Sequence, residues 1–371
     1  MELKKYRLGD CLELQRGYDL ASSQMQEGEV AVVGSNGIIG FHNIDRGNKP
    51  CITVGRSGSV GKVHYYERPT WVHNTALFVK DFKGNDPKYL YYFLKNLHLD
   101  KTFEKGSSVV PSLDRKVVHS LVVPFFKDVN DQRKIASALA LFDRKIELNK
   151  RINDNLESMA KQLYDYWFVQ FDFPNGEGKP YKTSGGKMVW NEKLKREIPE
   201  GWNSCHLEDF LAIRNGRDHK HLSNGIYPVY GSGGEMRRVS EYLYNGESVL
   251  MPRKGSLNNI MYVNEAFWTV DTMFYSEMKI DYCAKYIYYS IKDIDFTRLD
   301  SGTGVPSMTS STLYSIKMVR PNDDVLKKFD EIVSPLFEHM KQCVEQIAEL
   351  TKQRDELLPL LMNGQASVNA D

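Results

Sequence analysis

The sequence predicts an α+β protein written twice, each copy a globular domain followed by one long helix. Three observations predict it: an internal repeat with a period near 197 residues, strand-and-glycine patterning inside each copy, and two extended stretches of three-four apolar spacing. The 371 residues exceed one ordinary domain, and the repeat divides them. Arg7-Leu8-Gly9-Asp10 matches His206-Leu207-Glu208-Asp209 at an offset of 199, as does Gly17-Tyr18-Asp19 against Gly216-Arg217-Asp218. At 197, Arg56-Ser57-Gly58-Ser59 meets Arg253-Lys254-Gly255-Ser256, and Trp71 to Thr75 meets Trp268 to Thr272. At 195, Val110-Pro111-Ser112-Leu113 meets Val305-Pro306-Ser307-Met308. A period this long marks a duplicated domain, not a solenoid.

Within each copy, short β-branched runs (30–33, 51–54, 248–251 and 260–263) are punctuated by glycine clusters, which predicts strands and tight turns. Short helices are expected over 88–97 and 284–292. From Gln132, apolar residues recur at Ile135, Leu139, Phe142, Ile146, Ile152, Leu156, Met159 and Leu163, interrupted by Asn149. A second run holds Leu326, Phe329, Val333, Leu336, Met340, Val344, Ile347, Leu350, Leu357 and Leu361, with Arg354 as its polar exception. Such spacing predicts long helices with a coiled-coil seam. Neither could bury its stripe alone, so the two are expected to pair. Asp131 is the expected N-cap of the first; Pro335 should kink or delay the second, and Pro359 should fray it. The segment 174–186 reads as a turn-rich connector. The resulting division is 1–131, 132–173, 174–325 and 326–371.

Composition narrows the function. Lys+Arg 49 against Asp+Glu 48 gives a net charge of +1, so nucleic-acid binding would need locally clustered cations. Five dispersed cysteines without a C-x-x-C pair argue against structural zinc and a disulfide framework. The absence of an 18-residue apolar run or an apolar leader predicts a soluble protein of a reducing compartment. Gly55 to Lys62 mimics a phosphate loop but carries five residues between its glycines and Val63 in place of the magnesium-binding hydroxyl, so it reads as a hairpin turn. His219-Lys220-His221 lacks further ligands at metal spacing, and Gly302-Thr303-Gly304 lacks a cofactor-loop context. No catalytic constellation is visible.

What remains is a set of donors on turns: Arg16, Ser35, Asn36, Arg56, Ser57, Lys62, Lys105, Arg115 and Lys116 in the first copy, and Arg214, Arg217, Lys220, Arg237, Arg238, Arg253, Lys254, Asn258 and Asn259 in the second. Arginine suits guanine and asparagine suits adenine, whereas lysine and serine position through phosphates. Matched positions carry different tips: Ser57 answers Lys254, and Gly61-Lys62 answers Asn258-Asn259. A shared scaffold with divergent tips is what two readers of two different sequences need.

The run Phe171-Asp172-Phe173-Pro174-Asn175-Gly176-Glu177-Gly178-Lys179-Pro180, continued to Glu192 and followed by Ile198-Pro199-Glu200-Gly201-Trp202, resembles the central region of specificity subunits of type I restriction–modification systems. Gln132 to Asp143 resembles the start of that family's first conserved helix, and the likeness covers the whole chain, although the second helix lacks a counterpart of Gln132. The resemblance implies two similar target recognition domains separated by two long antiparallel conserved helices with pseudo-twofold symmetry. It implies a non-catalytic, cytoplasmic bacterial or archaeal subunit that reads double-stranded DNA in two half-sites. Two modification (methyltransferase) subunits and restriction subunits would be its partners, and no membrane is involved. S-adenosylmethionine, ATP and Mg would sit on those partners and no cofactor on this chain. The aromatic patch Tyr164, Tyr166, Trp167 and Phe168 is expected to contact partners or to pack against a globular domain. The competing reading is a coiled-coil scaffold that binds protein without DNA readout.

Overall fold

The computed structural model describes residues 2–103, 112–299 and 307–368. Lys105, Val110-Pro111 and the segment 302–306 lie outside them. The chain forms two compact units, Met1–Lys150 with Val344–Asp371, and Arg151–Cys343. This division cuts through both long helices instead of separating helices from globular copies, because each copy packs onto helix segments from both.

In the first unit, Leu3–Arg7 pairs antiparallel with Val122–Phe126, closing the globular copy just before the long helix. A four-stranded sheet runs in the order Glu13–Arg16, Ala76–Asp81, Cys51–Gly55, Val63–Tyr66. A three-stranded sheet places Val30–Gly34 between Gly37–His42 and Thr70–Val72. The helix Pro87–Asn96 begins where predicted, with Asp86 accepting from the Tyr89 amide at 2.8 Å and Pro87 in its first turn. Its Tyr89, Leu90, Tyr92, Phe93 and Leu94 enter one core with Ile135, Ala136 and Leu139 of the first long helix and Leu358, Leu361 and Met362 of the second.

The second unit repeats the plan with the helices exchanged. Asn203–His206 pairs with Lys317–Arg320, and Ala284–Lys292 forms the predicted helix. Here Tyr244–Pro252 and Met261–Thr269 extend to nine residues each, and the strands join one six-stranded sheet.

The first long helix spans Val129–Tyr164 and ends in a π turn, Asp165–Val169. It starts before Asp131, because the carboxylate of Asp128 takes the amides of Asn130 and Asp131 at 2.8 and 3.1 Å. The second spans Asp323–Met362, so it starts ahead of Pro335 instead of late and continues past Pro359 without the expected fraying. Gly364 at φ +68° terminates the helix. The polar exception of each stripe finds a polar partner on the other helix in the first unit. Asn149 donates to Gln346 at 3.0 Å, and Arg354 donates to Asp143 at 2.7 Å, with Tyr92 on the same carboxylate at 2.5 Å. These pairings run antiparallel.

Most of the aromatic patch takes the packing role, one of the two expected for it, and is not open to a partner. Trp167 and Phe168 are each 3% exposed and lie against Phe329, with centroids 5.8 and 4.9 Å away. Tyr164 packs on Tyr289 and donates to Ser290 at 3.0 Å. Only Tyr166, 37% exposed, faces solvent. The end of the helix must bury its apolar face, and the second unit's core takes it.

The burial pattern settles the register of the second helix. Gln132, Ile135 and Leu139 correspond to the equally buried Leu326, Phe329 and Val333. Gln132 therefore has an apolar counterpart and serves only its own unit. Its amide donates to Asn85 (2.8 Å) and to the Phe126 carbonyl (2.7 Å), and its oxygen accepts from the Asp86 amide (2.8 Å). Gln132→Leu leaves these buried groups unmatched and should cost roughly 1–3 kcal/mol, measured by denaturant unfolding; an unchanged midpoint would show that the hub is dispensable.

Candidate nucleic-acid interface

Three turns converge in each copy. In the first they are the hairpin turn at Ser35-Asn36, the loop 56–62 and the turn 73–75. Thr75 gathers them: its carbonyl accepts from the amides of Arg56 (2.8 Å) and Ser57 (3.2 Å), and its hydroxyl accepts from the Ser35 amide (3.3 Å). Thr272 repeats this with Arg253 (2.8 Å) and Lys254 (3.2 Å). The carbonyls of Arg56 and Arg253 accept from Leu113 and Met308, both at 2.8 Å, and bridges join Ser57 to Ser112 and Lys254 to Ser307. Gly17 and Gly216 pass so close to the same turn that a Cβ would lie 2.2 Å from the His73 carbonyl oxygen or 2.0 Å from that of Val270. Both copies thus hold these turns with the same backbone hydrogen bonds, at matching lengths.

The side chains on that frame differ. Lys62 reaches Asn36 at 2.7 Å on the exposed tip, whereas the second copy has Asn259 and Gly233 there. Arg56 is half-buried and donates to the Asn74 carbonyl at 3.2 Å; Arg253 is exposed, its guanidinium 5.9 Å from the Phe274 ring. Below the first tip, burial and then the Lys62 ammonium pull His64 below the usual histidine range, so it adds no charge near pH 7. Ser57 is half-buried and Lys254 exposed.

Not every predicted donor is free. Arg237 spends its guanidinium on the carbonyls of Leu222 (2.5 Å) and His219 (3.3 Å), shaping the loop that carries Lys220. Asn259 donates to the Ser232 carbonyl at 2.8 Å, and Asn258 bridges Asp295 and the Phe296 amide. These three are committed to groups of their own copy. Arg16 pairs with Asp19 at 3.3 Å on the surface, and Arg217, Lys220 and Arg115 are exposed; Arg115 opens the short helix Arg115–Ser120. Gly55 to Lys62 is the hairpin turn expected, with Gly61 donating to Gly55 at 2.8 Å. Among the described residues there is no group of three metal-ligating side chains, and no helix is long and apolar enough to cross a membrane.

A frame built twice with unlike tips can be matched against known proteins. The family model for the type I restriction modification DNA specificity domain matches residues 1–158 and again 199–352. The chain belongs to this family. It is similar to the MjaIX specificity subunit of Methanocaldococcus jannaschii, 28% identical over 76% of this chain and 69% of that one. A putative specificity subunit of Mycoplasma pneumoniae is 25% identical over 95% and 94%. The solved S subunit from M. genitalium shares the fold, with TM-score 0.64 and 20% identity over 97% of this chain and 96% of that one. This chain is therefore a DNA-recognition subunit of type I restriction–modification and not an enzyme; catalysis sits on partner subunits. The scaffold reading without DNA readout is set aside.

Sequence reasoning about this specificity subunit missed the third turn. His73, Asn74 and Thr75 supply the carbonyls and hydroxyl that hold the tip, and Asn74 donates to Asp19. The repeated Trp-x-x-x-Thr spacing was the available signal, visible as a repeat but not as a site.

Proposed function

We propose that each copy reads one half of a split, asymmetric double-stranded DNA target, and that the chain brings two methyltransferase subunits, and through them restriction subunits, to that target. The observation that carries this reading is the common Arg56/Arg253 frame with its unlike tips. One frame presents each head to a groove in the same way, while Asn36, Ser57 and Lys62 offer different chemistry from Gly233 and Lys254. The DNA-facing set is Arg16, Ser35, Asn36, Arg56, Ser57, Lys62 and Arg115 with Arg217, Lys220, Arg253 and Lys254, while Arg237, Asn258 and Asn259 support it. Exposed faces of the long helices, with Tyr166 beside them, suit partner subunits. S-adenosylmethionine, ATP and Mg belong on those partners, and the site of action is the cytoplasm of a bacterium or archaeon.

The test is an exchange of residues 1–125 for the first copy of another specificity subunit. Co-expressed with its modification partners, the hybrid should methylate a motif with one half-site replaced and the other retained. Sequencing of methylated host DNA reads the outcome, and an unaltered motif would refute the assignment.

A further inference from the structure

The hairpin beside each three-turn cluster carries the same irregularity. In the first copy Val32 pairs with Gly40 and Val33 with Ile38, leaving Ile39 as an extra residue. In the second, Val229 pairs with Arg237 and Tyr230 with Glu235, leaving Met236 as the extra residue. A β-bulge re-aims the side chain it inserts, and here both inserted side chains are large, apolar and outward: Ile39 is 51% exposed and Met236 60%. Each lies across a glycine on the neighbouring strand. A Cβ on Gly34 would meet Ile39 Cγ2 at 3.3 Å, and one on Gly231 would meet Met236 Sδ at 2.5 Å.

Single exposed apolar residues are ordinary, but this pair is set apart by recurrence. Around it the hairpins diverge: Ile38 and Phe41 in one stand where Glu235 and Arg238 stand in the other, and Glu235 and Arg238 form an ion pair. Of the strand positions facing solvent, only the bulge stays apolar in both. It adjoins the donors of the tip, because Gly34 and Gly231 lead directly into Ser35 and Ser232. An apolar group held beside Arg, Lys and Asn donors matches the one apolar feature that a base pair shows in the major groove, the thymine methyl.

Resting on the half-site reading above, we propose that Ile39 and Met236 are specificity-determining contacts, each meeting the 5-methyl group of a thymine in its own half-site. Glycine at 34 and 231 leaves the room in which that side chain lies. The contact discriminates thymine from the other bases by shape and apolar burial, while neighbouring donors read hydrogen-bonding edges.

The experiment uses the complex with its modification subunits. After the wild-type motif is known from sequencing of methylated host DNA, Ile39→Ala and Met236→Ala are profiled in the same way. Each should relax the motif at one T·A pair, Ile39→Ala only in the half-site assigned to the first copy by the exchange of 1–125, Met236→Ala only in the other. Duplexes with deoxyuridine at that thymine should bind wild type about fourfold more weakly, the loss of one buried methyl, and should bind the matching variant no more weakly than thymine duplexes. Gly231→Ala, which displaces Met236 without removing it, should lose the same discrimination. If the variants keep the wild-type motif and the full thymine-over-uracil preference while the exchange still replaces a half-site, this inference fails and the half-site reading stands. A loss of binding equal for thymine and uracil would also overturn it, pointing to a wedge between base steps. An exchange that alters neither half-site sinks the underlying reading itself.

Discussion

Lys285→Met is expected to destabilise the second unit by about 3 kcal/mol, the low end of the cost of stripping one partner from a buried charge cluster. Lys285 is buried and lies 2.5 Å from Glu247 and 2.8 Å from Asp330. Tyr262 adds a hydrogen bond to Glu247 at 2.5 Å and Ser334 one to Asp330 at 3.1 Å. Removing the ammonium leaves two carboxylates facing each other with only neutral donors. For a unit of this size the loss corresponds to a fall in Tm of roughly 6–12 °C, read by thermal unfolding of the complex. The first copy provides the control. Its Lys88 also sits over a tyrosine, Tyr65, at 4.0 Å, but Pro50 and Ala136 stand where Glu247 and Asp330 stand in the second. Lys88→Met should therefore cost well under half as much. Glu247 lies on the strand that runs into Arg253, and Asp330 on the second long helix. The cluster thus joins the strand before Arg253 to the second long helix, so the variant should keep its motif but lose methylation first as temperature rises. Equal melting of wild type and Lys285→Met would remove the cluster from any account of stability.

Inserting one heptad into each long helix, after Lys150 and after Cys343, should lengthen the unread gap between the half-sites by about three base pairs. Seven residues add about 10.5 Å at about 1.5 Å per residue, and DNA rises about 3.4 Å per base pair. A heptad turns a helix by nearly two full turns, with a drift of about 20°, so the seam keeps its apolar face. The insertions flank the pair Asn149–Gln346 and leave Asp143–Arg354 intact. Sequencing of methylated host DNA would show both half-sites unchanged across a longer gap. A gap of unaltered length would show that the helices do not set it.

The duplicated architecture was legible because the repeat lies in backbone-determining residues: glycines at close approaches, the Trp-x-x-x-Thr turns, and apolar positions at fixed phase. The helices were legible because thirty-six residues of consistent spacing outweigh single exceptions. What those exceptions do was not legible. Arg354 and Asn149 look like flaws in a stripe until Asp143 and Gln346 are seen opposite them, more than 190 residues away in sequence. The donor set was only partly legible for the same reason. Arg237, Asn258 and Asn259 have the right chemistry to read bases, yet Arg237 donates to the Leu222 carbonyl, Asn258 to the Asp295 carboxylate and Asn259 to the Ser232 carbonyl, groups of other segments of the same copy. Trp167 and Phe168 carry the side chains of an interface, and the nearest apolar surface to cover them belongs to their own unit.

By itself, then, the order of residues established two copies, two long helices, the absence of a catalytic motif and the family's central segment, because each depends on local spacing or on glycine and proline geometry. Only the tertiary structure decided which cations stay free, which aromatics are buried and where the bulged Ile39 and Met236 emerge. Those outcomes turn on partners brought together from distant segments, and competition among such partners for one hydrogen bond or one apolar surface leaves no periodic trace along the chain.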